Sequence, residues 1–236
     1  MNTLLIVGYG RMGRAVEALA PEYGFEVAGR LDSAGNAAGE ALTAERCRGV
    51  DVAVDFSTAA AVGVNLPRLI ALGLNVVVGT TGWQAEEAAL RAAAEAVGVG
   101  VVAAPNFSAG VAIFDALVER ASALFAGQPS FGAWIHEAHH AAKRDAPSGT
   151  ALALERAMAR GGYARPIDVS STRAGSMPGT HTVGFDGPAE TVTLTHTTRD
   201  RSTFARGALE AARWVNGRQG WFTLRDVLGL SESARP

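Results

Sequence analysis

The chain has 236 residues, of which 48% are hydrophobic and 19% are charged. This composition supports a folded core and excludes a disordered chain, and the length fits one or two domains. The net charge of −2 provides no basic field to attract nucleic acid or an anionic membrane, so we expect neither as a partner. Because Cys47 is the only cysteine, an intrachain disulfide and a cysteine-built metal site are excluded.

Two segments have features of a signal peptide or a membrane helix. The N-terminus has no basic flank, and its short apolar run at residues 4–7 is typical of a strand rather than a signal peptide. Residues 97–114 carry no charge, but Gly98, Gly100, Pro105 and Gly110 interrupt them. We therefore expect a buried strand, a loop and a helix start in that segment, and a cytoplasmic protein.

The first hundred residues alternate short apolar runs with alanine-rich stretches. Strands are predicted at residues 3–7, 25–31, 52–54, 75–78 and 99–103, and helices at residues 11–20, 58–72 and 84–97. Residues 41–49 fit neither pattern. Valine-rich strands joined by helices indicate a parallel sheet covered on both faces, so we predict a doubly wound α/β domain.

Strands dominate the pattern after residue 108. Helices are predicted at residues 110–125, with Ser108 near the N-cap, and at 149–160 and 204–216. Strands are predicted at residues 131–139, 167–173, 181–185 and 191–197. This pattern is typical of a smaller α+β domain. We therefore predict two domains, residues 1–108 together with 204–236, and residues 109–203.

A glycine pattern follows the first predicted strand and opens the first predicted helix. Residues 8–13 read Gly-Tyr-Gly-Arg-Met-Gly, and Asp32 ends the next strand 19 residues after Gly13. Such glycines let the backbone approach a pyrophosphate, and an acid near this spacing binds a ribose. A tight turn without a ligand is the alternative. The residues predicted to bind NADH or NADPH here are Gly8, Gly10, Arg11, Met12, Gly13 and Asp32.

The cofactor preference leans toward NADH. Asp32 is followed by Ser33 rather than by an arginine that would face a 2′-phosphate, and a carboxylate repels that phosphate. The nearby Arg11, Arg14 and Arg30 weaken this argument.

The ends of two further predicted strands are expected at the same edge of the sheet and can also contact the cofactor. Alternatively, Thr81 only caps the next helix and Asn106 only forms a turn. The predicted cofactor-binding residues of these two strand ends are Gly79, Thr80 and Thr81, and Ala104, Pro105, Asn106 and Phe107.

The densest cluster of chemically active side chains lies at residues 136–151. Residues 136–140 match H-E-x-x-H, the helical motif of zinc hydrolases. Residues 131–135 predict a strand, however, and in a strand two histidines four residues apart are too far from each other to bind one metal. We therefore predict no metal site.

The same cluster also suits an anionic substrate. A strand-end loop bearing histidines and Lys143 leads into a helix whose first residues are Ser148, Gly149 and Thr150. Free amides at a helix N-terminus and the lysine would bind carboxylates, and a histidine can donate a proton near neutral pH. This predicts a small dicarboxylate substrate that is reduced and protonated. A surface loop capped by Ser148 is the alternative.

The run Glu137-Ala138-His139-His140-x-x-Lys143-x-Asp145-x-Pro147-Ser148-Gly149-Thr150-Ala151 resembles the signature of the 4-hydroxy-tetrahydrodipicolinate reductase family. Similar landmarks follow the family order along nearly the whole chain. They are Gly10-Arg11-Met12-Gly13-Arg14, Asp55-Phe56-Ser57, Gly79-Thr80-Thr81-Gly82, Asn106-Phe107-Ser108-x-Gly110-Val111, Arg173-x-Gly175, Gly179-x-His181 and Arg201-x-x-Phe204-Ala205-x-Gly207-Ala208.

The resemblance implies a Rossmann domain, a central substrate-binding domain and a homotetramer built through the substrate-domain sheets. It implies hydride transfer from NAD(P)H with loss of water, in lysine and diaminopimelate synthesis. By the same resemblance, His139 is the proton donor, Lys143 a second proton-donating and carboxylate-binding group, and His140, Gly149 and Thr150 bind substrate. Two alternatives remain at this point: another dehydrogenase of amino-acid precursors, such as an aspartate dehydrogenase-like enzyme, and a nucleotide-sensing module without chemistry.

Overall fold

The computed structural model describes residues 1–231. The strands are β1 (Asn2–Val7), β2 (Phe25–Leu31), β3 (Val52–Asp55), β4 (Asn75–Val78), β5 (Gly100–Ala103), β6 (Gly132–His139), β7 (Ile167–Arg173), β8 (Thr180–Asp186), β9 (Thr191–Thr197) and β10 (Gly220–Phe222). The α-helices are α1 (Arg11–Leu19), α2 (Ala59–Ala71), α3 (Glu87–Val97), α4 (Ala109–Phe125), α5 (Gly149–Arg160), α6 (Ser202–Val215) and α7 (Leu224–Val227).

The chain forms two compact units, residues 1–109 with the segment from Ser202 onward, and Gly110–Arg201. The last five residues of the predicted first domain lie outside the described part of the chain. The first unit contains a six-stranded sheet in the order β10-β5-β4-β3-β1-β2, and all of its neighbouring strands are parallel.

Helices cover both faces of the parallel sheet. On one face, Leu66 and Leu69 of α2 and Leu90 of α3 pack in one core with the strand residues Leu5 and Val76. On the other, α6 contacts α1, β3, β4 and β5. Burial on both faces explains why these strands are nearly continuous runs of valine, leucine and isoleucine. The prediction of a doubly wound α/β fold is confirmed.

The strand register aligns the carboxyl ends of the central strands. Val7 at the end of β1 pairs with Leu31 of β2 and with Asp55 of β3. Asp55 in turn pairs with Val78 at the end of β4. The loops that follow these strands therefore emerge side by side, which is where open α/β sheets bind ligands.

The second unit contains a mixed four-stranded sheet in the order β7-β6-β8-β9. Its core joins Phe114 of α4 and Leu154 of α5 to Ile135, Val183 and Phe185 of the sheet, so the two helices cover one face. This agrees with the predicted α+β pattern. The register places Arg173 opposite His139, and His181 opposite Glu137.

Most predicted elements differ from the structure by only a residue or two at their ends. A 3-10 helix at Ala20–Tyr23 ends the first predicted helix, because Pro21 enters there. The expected strand, loop and helix start within residues 97–114 are confirmed as β5, a loop and the beginning of α4. Among the described residues, the structure has no helix long and apolar enough to cross a membrane.

Candidate active site

The first unit holds a cavity of about 610 Å³ at the carboxyl ends of β1, β2 and β3. Its lining residues include Val7, Gly8, Tyr9, Gly10, Leu31, Asp32, Ser33, Asn36, Phe56, Ser57, Thr58, Val64 and Asn65. The predicted residues Gly8, Gly10 and Asp32 thus line one cavity, which has the size of a small-molecule site.

Gly8 is required by the turn that follows β1. Its φ of +88° is unfavourable for other residues, and a Cβ there would lie 2.5 Å from the backbone of Phe56 and Ser57. The amides of Gly8 and Tyr9 donate to the carbonyl oxygen of Leu31, at 2.8 and 3.0 Å. The turn is therefore held against the end of β2, and α1 begins directly after it.

The start of α1 suits an anion. Gly10 is its N-cap and makes no side-chain capping hydrogen bond. The amide groups of the first helical turn lack a capping side chain, so they can face a diphosphate. Beside this turn, Oδ1 of Asp32 accepts hydrogen bonds from the amides of Ala34 and Gly35, both at 3.1 Å. The exposed carboxylate is thereby held in the cavity wall, as a ribose-binding acid requires.

A second cavity of about 320 Å³ lies nearby in the same unit. Its lining residues include Met12, Phe56, Ser57, Gly79, Thr80 and Thr81. The other predicted cofactor residues, Arg11, Gly13 and Ala104–Phe107, do not line either of these two cavities. The ring of Phe107 packs edge-on against the ring of Phe56, at 6.3 Å between centroids, so this loop supports the wall of the second cavity.

Asp55 is a buried group that the sequence analysis did not assign to the site. The backbone amide and the hydroxyl of Ser57 donate to its Oδ1 at 2.8 and 2.6 Å, and the side-chain Nδ2 of Asn65 donates to Oδ2 at 3.3 Å. Burial raises the pKa of its carboxyl despite these hydrogen bonds. The only sequence signal was its place in the Asp55-Phe56-Ser57 landmark.

In the second unit, the end of β6 and the start of α5 meet at the carboxylate of Glu137, which has no solvent exposure. Nδ1 of His139 lies 2.5 Å from Oε2, and the guanidinium of Arg173 donates to both oxygens at 2.8 and 2.6 Å. The amide of Ser148 donates to Oε1 at 3.2 Å. Burial alone would raise the pKa of Glu137, but hydrogen bonds from Arg173, Ser171 and His139 lower it to about 2.

Two histidines adjoin this carboxylate. Burial lowers the pKa of His139, whose side chain is 13% exposed. Its ring lies edge-on to that of His181, at 5.1 Å between centroids. Nε2 of His181 is 2.9 Å from the hydroxyl of Ser148, which also caps α5 by accepting from the amide of Ala151. Burial, together with the charge of His139, lowers the pKa of His181 to about 4.

Lys143 lies in the loop between β6 and α5. Its ammonium donates to both oxygens of Asp145, at 2.7 and 2.8 Å. The hydrogen bond from Lys143 is the main cause that lowers the pKa of Asp145, and the amide of Gly149 also bonds to it. The carboxylate of Asp145 therefore binds both Lys143 and the start of α5, which demonstrates that these groups can bind a carboxylate.

The predicted residues His139, Lys143, Ser148 and Gly149 thus belong to one connected cluster, whereas His140 is exposed and Thr150 is half-buried in the first turn of α5. Glu137, Arg173 and His181 are members that the sequence analysis missed. All three lie within motifs that resemble the family, but only the pairing of β6 with β7 and β8 brings them together.

The strand predicted at residues 131–139 is observed at Gly132–His139, so the H-E-x-x-H match does not have the helical geometry of a zinc hydrolase. Glu137, His139 and His181 do offer ligand atoms within 4.8 Å of one another. However, the guanidinium of Arg173 hydrogen-bonds both carboxylate oxygens. Arg173 therefore compensates the buried negative charge of Glu137, and it contacts the same carboxylate oxygens that a metal ion would bind.

One chain thus combines a doubly wound sheet, a glycine turn and an acid at the carboxyl ends of its strands, and a cluster of histidines with a lysine. This combination is typical of a dinucleotide-dependent oxidoreductase. The sequence model described as "Dihydrodipicolinate reductase, N-terminus" matches residues 2–107, and that described as "Dihydrodipicolinate reductase, C-terminus" matches residues 110–228. The chain belongs to the dihydrodipicolinate reductase family.

Similar proteins agree with this membership. The chain is 40% identical to the 4-hydroxy-tetrahydrodipicolinate reductase of Thiobacillus denitrificans, over 94% of this chain and 96% of that protein. It is 42% identical to the reductase of the same name from Stenotrophomonas maltophilia K279a, over 95% and 97%. A dipicolinate-bound dihydrodipicolinate reductase from Paenisporosarcina sp. TG-14 has the same fold, with a TM-score of 0.82 and 22% identity over 94% and 97% of the two chains.

Proposed function

We propose that this protein reduces 4-hydroxy-tetrahydrodipicolinate to tetrahydrodipicolinate with NADH or NADPH, in lysine and diaminopimelate biosynthesis. The reaction consumes one hydride and one proton and releases one water. The observation that carries the proposal is the cluster in which buried Glu137 holds His139 beside the N-terminus of α5, within a chain that belongs to the reductase family.

Residues of the first unit would hold the dinucleotide. The glycine turn and the uncapped start of α1 suit a diphosphate, and the cavity beside them suits the adenosine. A bound reduced nicotinamide supplies the hydride. Asp32 would accept a hydrogen bond from the ribose and repel a 2′-phosphate, which supports a preference for NADH. The loops at Gly79–Thr81 and Ala104–Phe107 would line the rest of the cofactor.

Residues of the second unit would bind the dianionic substrate and supply protons. The amides of Gly149 and Thr150, the hydroxyl of Ser148 and the ammonium of Lys143 would take its carboxylates, with His140 as an additional contact. His139 would protonate the reduced ring, with Lys143 as a second donor. Dipicolinate, the ligand named for the solved Paenisporosarcina reductase, is a planar dicarboxylate of the kind such a site would accept.

We also propose a homotetramer built through the four-stranded sheet. The helices α4 and α5 cover one face of that sheet. The other face presents the half-buried Trp134 and Thr182 and the exposed Thr195, a mixed apolar and polar surface suited to pairing with another copy. Light scattering coupled to size-exclusion chromatography should give four chains per particle, and a monomer in solution would contradict this.

A coupled assay tests the reaction. The substrate is generated enzymatically from pyruvate and aspartate semialdehyde, and oxidation of NADH and of NADPH is followed separately. Turnover that depends on this substrate, with a higher kcat/KM for NADH, is the expected result. Oxaloacetate with ammonia serves as the control for an aspartate dehydrogenase-like enzyme. Turnover only in the control, or dinucleotide binding without any turnover, would contradict the proposal.

A further inference from the structure

The carboxylate of Glu137 connects three parts of the proposed active site. It contacts Nδ1 of His139 on its own strand, the guanidinium of Arg173 on β7, and the amide of Ser148 at the start of α5. None of these contacts involves Nε2 of His139. Burial of an ionised carboxylate is costly unless hydrogen bonds and a cation compensate it. Glu137 has both, so the structure keeps this acid charged inside the protein.

The charge of Glu137 determines where the proton of His139 resides. Burial acts to raise the pKa of this carboxyl, but the hydrogen bonds led by Arg173 bring it down to about 2, so it is an anion at neutral pH. An ionised carboxylate only accepts hydrogen bonds. Nδ1 of His139 therefore carries a hydrogen, and Nε2 is the nitrogen left for a ligand or a proton.

The surroundings of Nε2 fit that assignment. A Cβ at Gly179 would lie 3.1 Å from Nε2, so the glycine leaves open the side of the ring that a side chain would crowd. Four ionisable groups face the ring from the elements around it: Glu137 on β6, Lys143 in the following loop, Arg173 on β7 and His181 on β8. Burial is the largest cause that lowers the pKa of His139, and the Lys143 and Arg173 charges act in the same direction.

We propose that Glu137 is a positioning residue, which holds a hydrogen on Nδ1 of His139 so that Nε2 carries the transferable proton. This rests on the proposed reductase function. The free enzyme then has a neutral imidazole, and a bound dianion favours uptake of one proton from solvent at Nε2. Glu137 stabilises the resulting imidazolium. Transfer of that proton to the substrate returns His139 to its neutral form, so each turnover takes up and delivers one proton.

Nuclear magnetic resonance of histidine ring nitrogens tests the tautomer without any turnover. In 15N-histidine-labelled protein at pH 7.5, the His139 ring, assigned from its absence in His139→Gln, should show a protonated Nδ1 and an unprotonated Nε2. Addition of pyridine-2,6-dicarboxylate should shift both nitrogens toward the imidazolium values. A neutral ring protonated at Nε2 would overturn the proposal, whether or not the protein reduces the proposed substrate.

Glu137→Gln tests the consequence for the reaction. We expect kcat to fall on the order of 10²-fold, because the imidazolium loses its carboxylate partner. The decline of kcat at high pH should also move to lower pH, since a protonated His139 is needed and its pKa in the complex is lower without Glu137. Glu155→Gln, an exposed glutamate on α5, is the matched control and should behave as wild type.

A purely structural role for Glu137 predicts another result. The variant would then lose activity equally at every pH, with a lower melting temperature and an unmoved high-pH limb, and this outcome would refute the proposal. If Glu137→Gln does not fold, the ring-nitrogen spectra of the wild-type protein decide the question. Absence of turnover in the wild-type coupled assay would contradict the reductase function alone, because the tautomer is measured independently of it.

Discussion

His139, the proposed proton donor, combines a hydrogen bond at Nδ1 with partial burial. Replacement by glutamine keeps a polar side chain of similar reach but removes the transferable proton. We expect His139→Gln to lower kcat by roughly 10²–10⁴, the usual range for general-acid catalysis. The Kd for NADH, measured by fluorescence titration, should stay unchanged because the proposed dinucleotide cavity is lined by residues of the first unit. Wild-type turnover in this variant would remove His139 from the reaction.

Asp145 holds the cation that would bind a carboxylate of the proposed substrate. Its two oxygens accept from Lys143 at 2.7 and 2.8 Å, and Asp145 also bonds to the amide of Gly149 at the start of α5. A dianionic substrate that uses these donors must displace it. Since an ion pair of this exposure contributes about 1 kcal/mol at most, Asp145→Asn should lower the substrate KM about threefold to fivefold at an unchanged kcat.

Initial-rate kinetics over a range of substrate concentrations measure this effect. Glu155→Gln is the control, because Glu155 is an exposed acid on α5 of the same unit, and its KM should equal that of the wild type. An unchanged or higher KM in Asp145→Asn would indicate that Asp145 orients Lys143 for the substrate instead of competing with it.

At the scale of secondary-structure elements, periodicity predicted the helices and strands well where apolar and polar residues recur at a regular spacing. The helix Gly149–Arg160 and the strands Ile167–Arg173 and Thr191–Thr197 begin and end at the predicted residues. Residues 41–49, which fit neither pattern, form turns. Their buried Ala41, Leu42 and Cys47 pack into the core of the parallel sheet without a regular spacing, so periodicity carried no signal there.

The part of the candidate site formed by neighbouring residues could be predicted from the sequence, whereas the part formed by strand pairing could not. The glycine turn and the loop from His139 to Thr150 were predictable, because their residues lie close together in the sequence. The contact of Glu137 with Arg173, 36 residues away, depends on the pairing of β6 with β7. Strand order is set by packing of the whole sheet, and the periodicity of a single strand does not report it.

A series of hydrogen bonds through two buried asparagine side chains holds the segment that follows β2. The side chain of Asn65 on α2 donates to Asp55 at 3.3 Å and accepts from the side chain of Asn36 at 3.0 Å. Oδ1 of Asn36 in turn accepts from the amide of Ala41 at 3.1 Å. Both asparagines line the larger cavity of the first unit, so this chain fixes one wall of the proposed dinucleotide site.

Asn36→Ala should therefore weaken binding at the proposed dinucleotide site and leave the residues of the proposed proton-donating cluster unchanged. We expect the Kd for NADH to rise about fivefold to tenfold, since losing one buried hydrogen-bonding partner costs on the order of 1 kcal/mol. The kcat at saturating NADH should stay the same. Calorimetric titration measures the Kd, and Asn216→Ala, which alters an asparagine just after α6, serves as the control. An NADH affinity equal to wild type would show that the wall is held without Asn36.

For the molecule as a whole, buried ionisable groups make the stability depend on pH in two separate windows. His181 is 4% exposed, and burial lowers its pKa from 6.5 to about 4. Between these values the unfolded chain binds a proton that the folded chain does not, so the free energy of unfolding falls as pH decreases from 6.5 to 4. For Glu137, the lowered pKa of about 2 gives stability that is present above its ordinary pKa and lost below it.

Thermal melts of the wild type and of His181→Asn between pH 7.5 and 4.5 measure the contribution of His181 to stability. The contribution of Glu137 is lost mainly at lower pH. The wild type should lose on the order of 2–3 kcal/mol of stability through His181 as the pH falls across its window. His181→Asn should start from a lower melting temperature at pH 7.5, because the contact with Ser148 is altered, and should then show a flatter decline with pH. His140→Asn, which replaces an exposed histidine, should retain the wild-type slope. Equal slopes in the wild type and His181→Asn would mean that His181 is protonated in the folded protein as readily as in the unfolded chain.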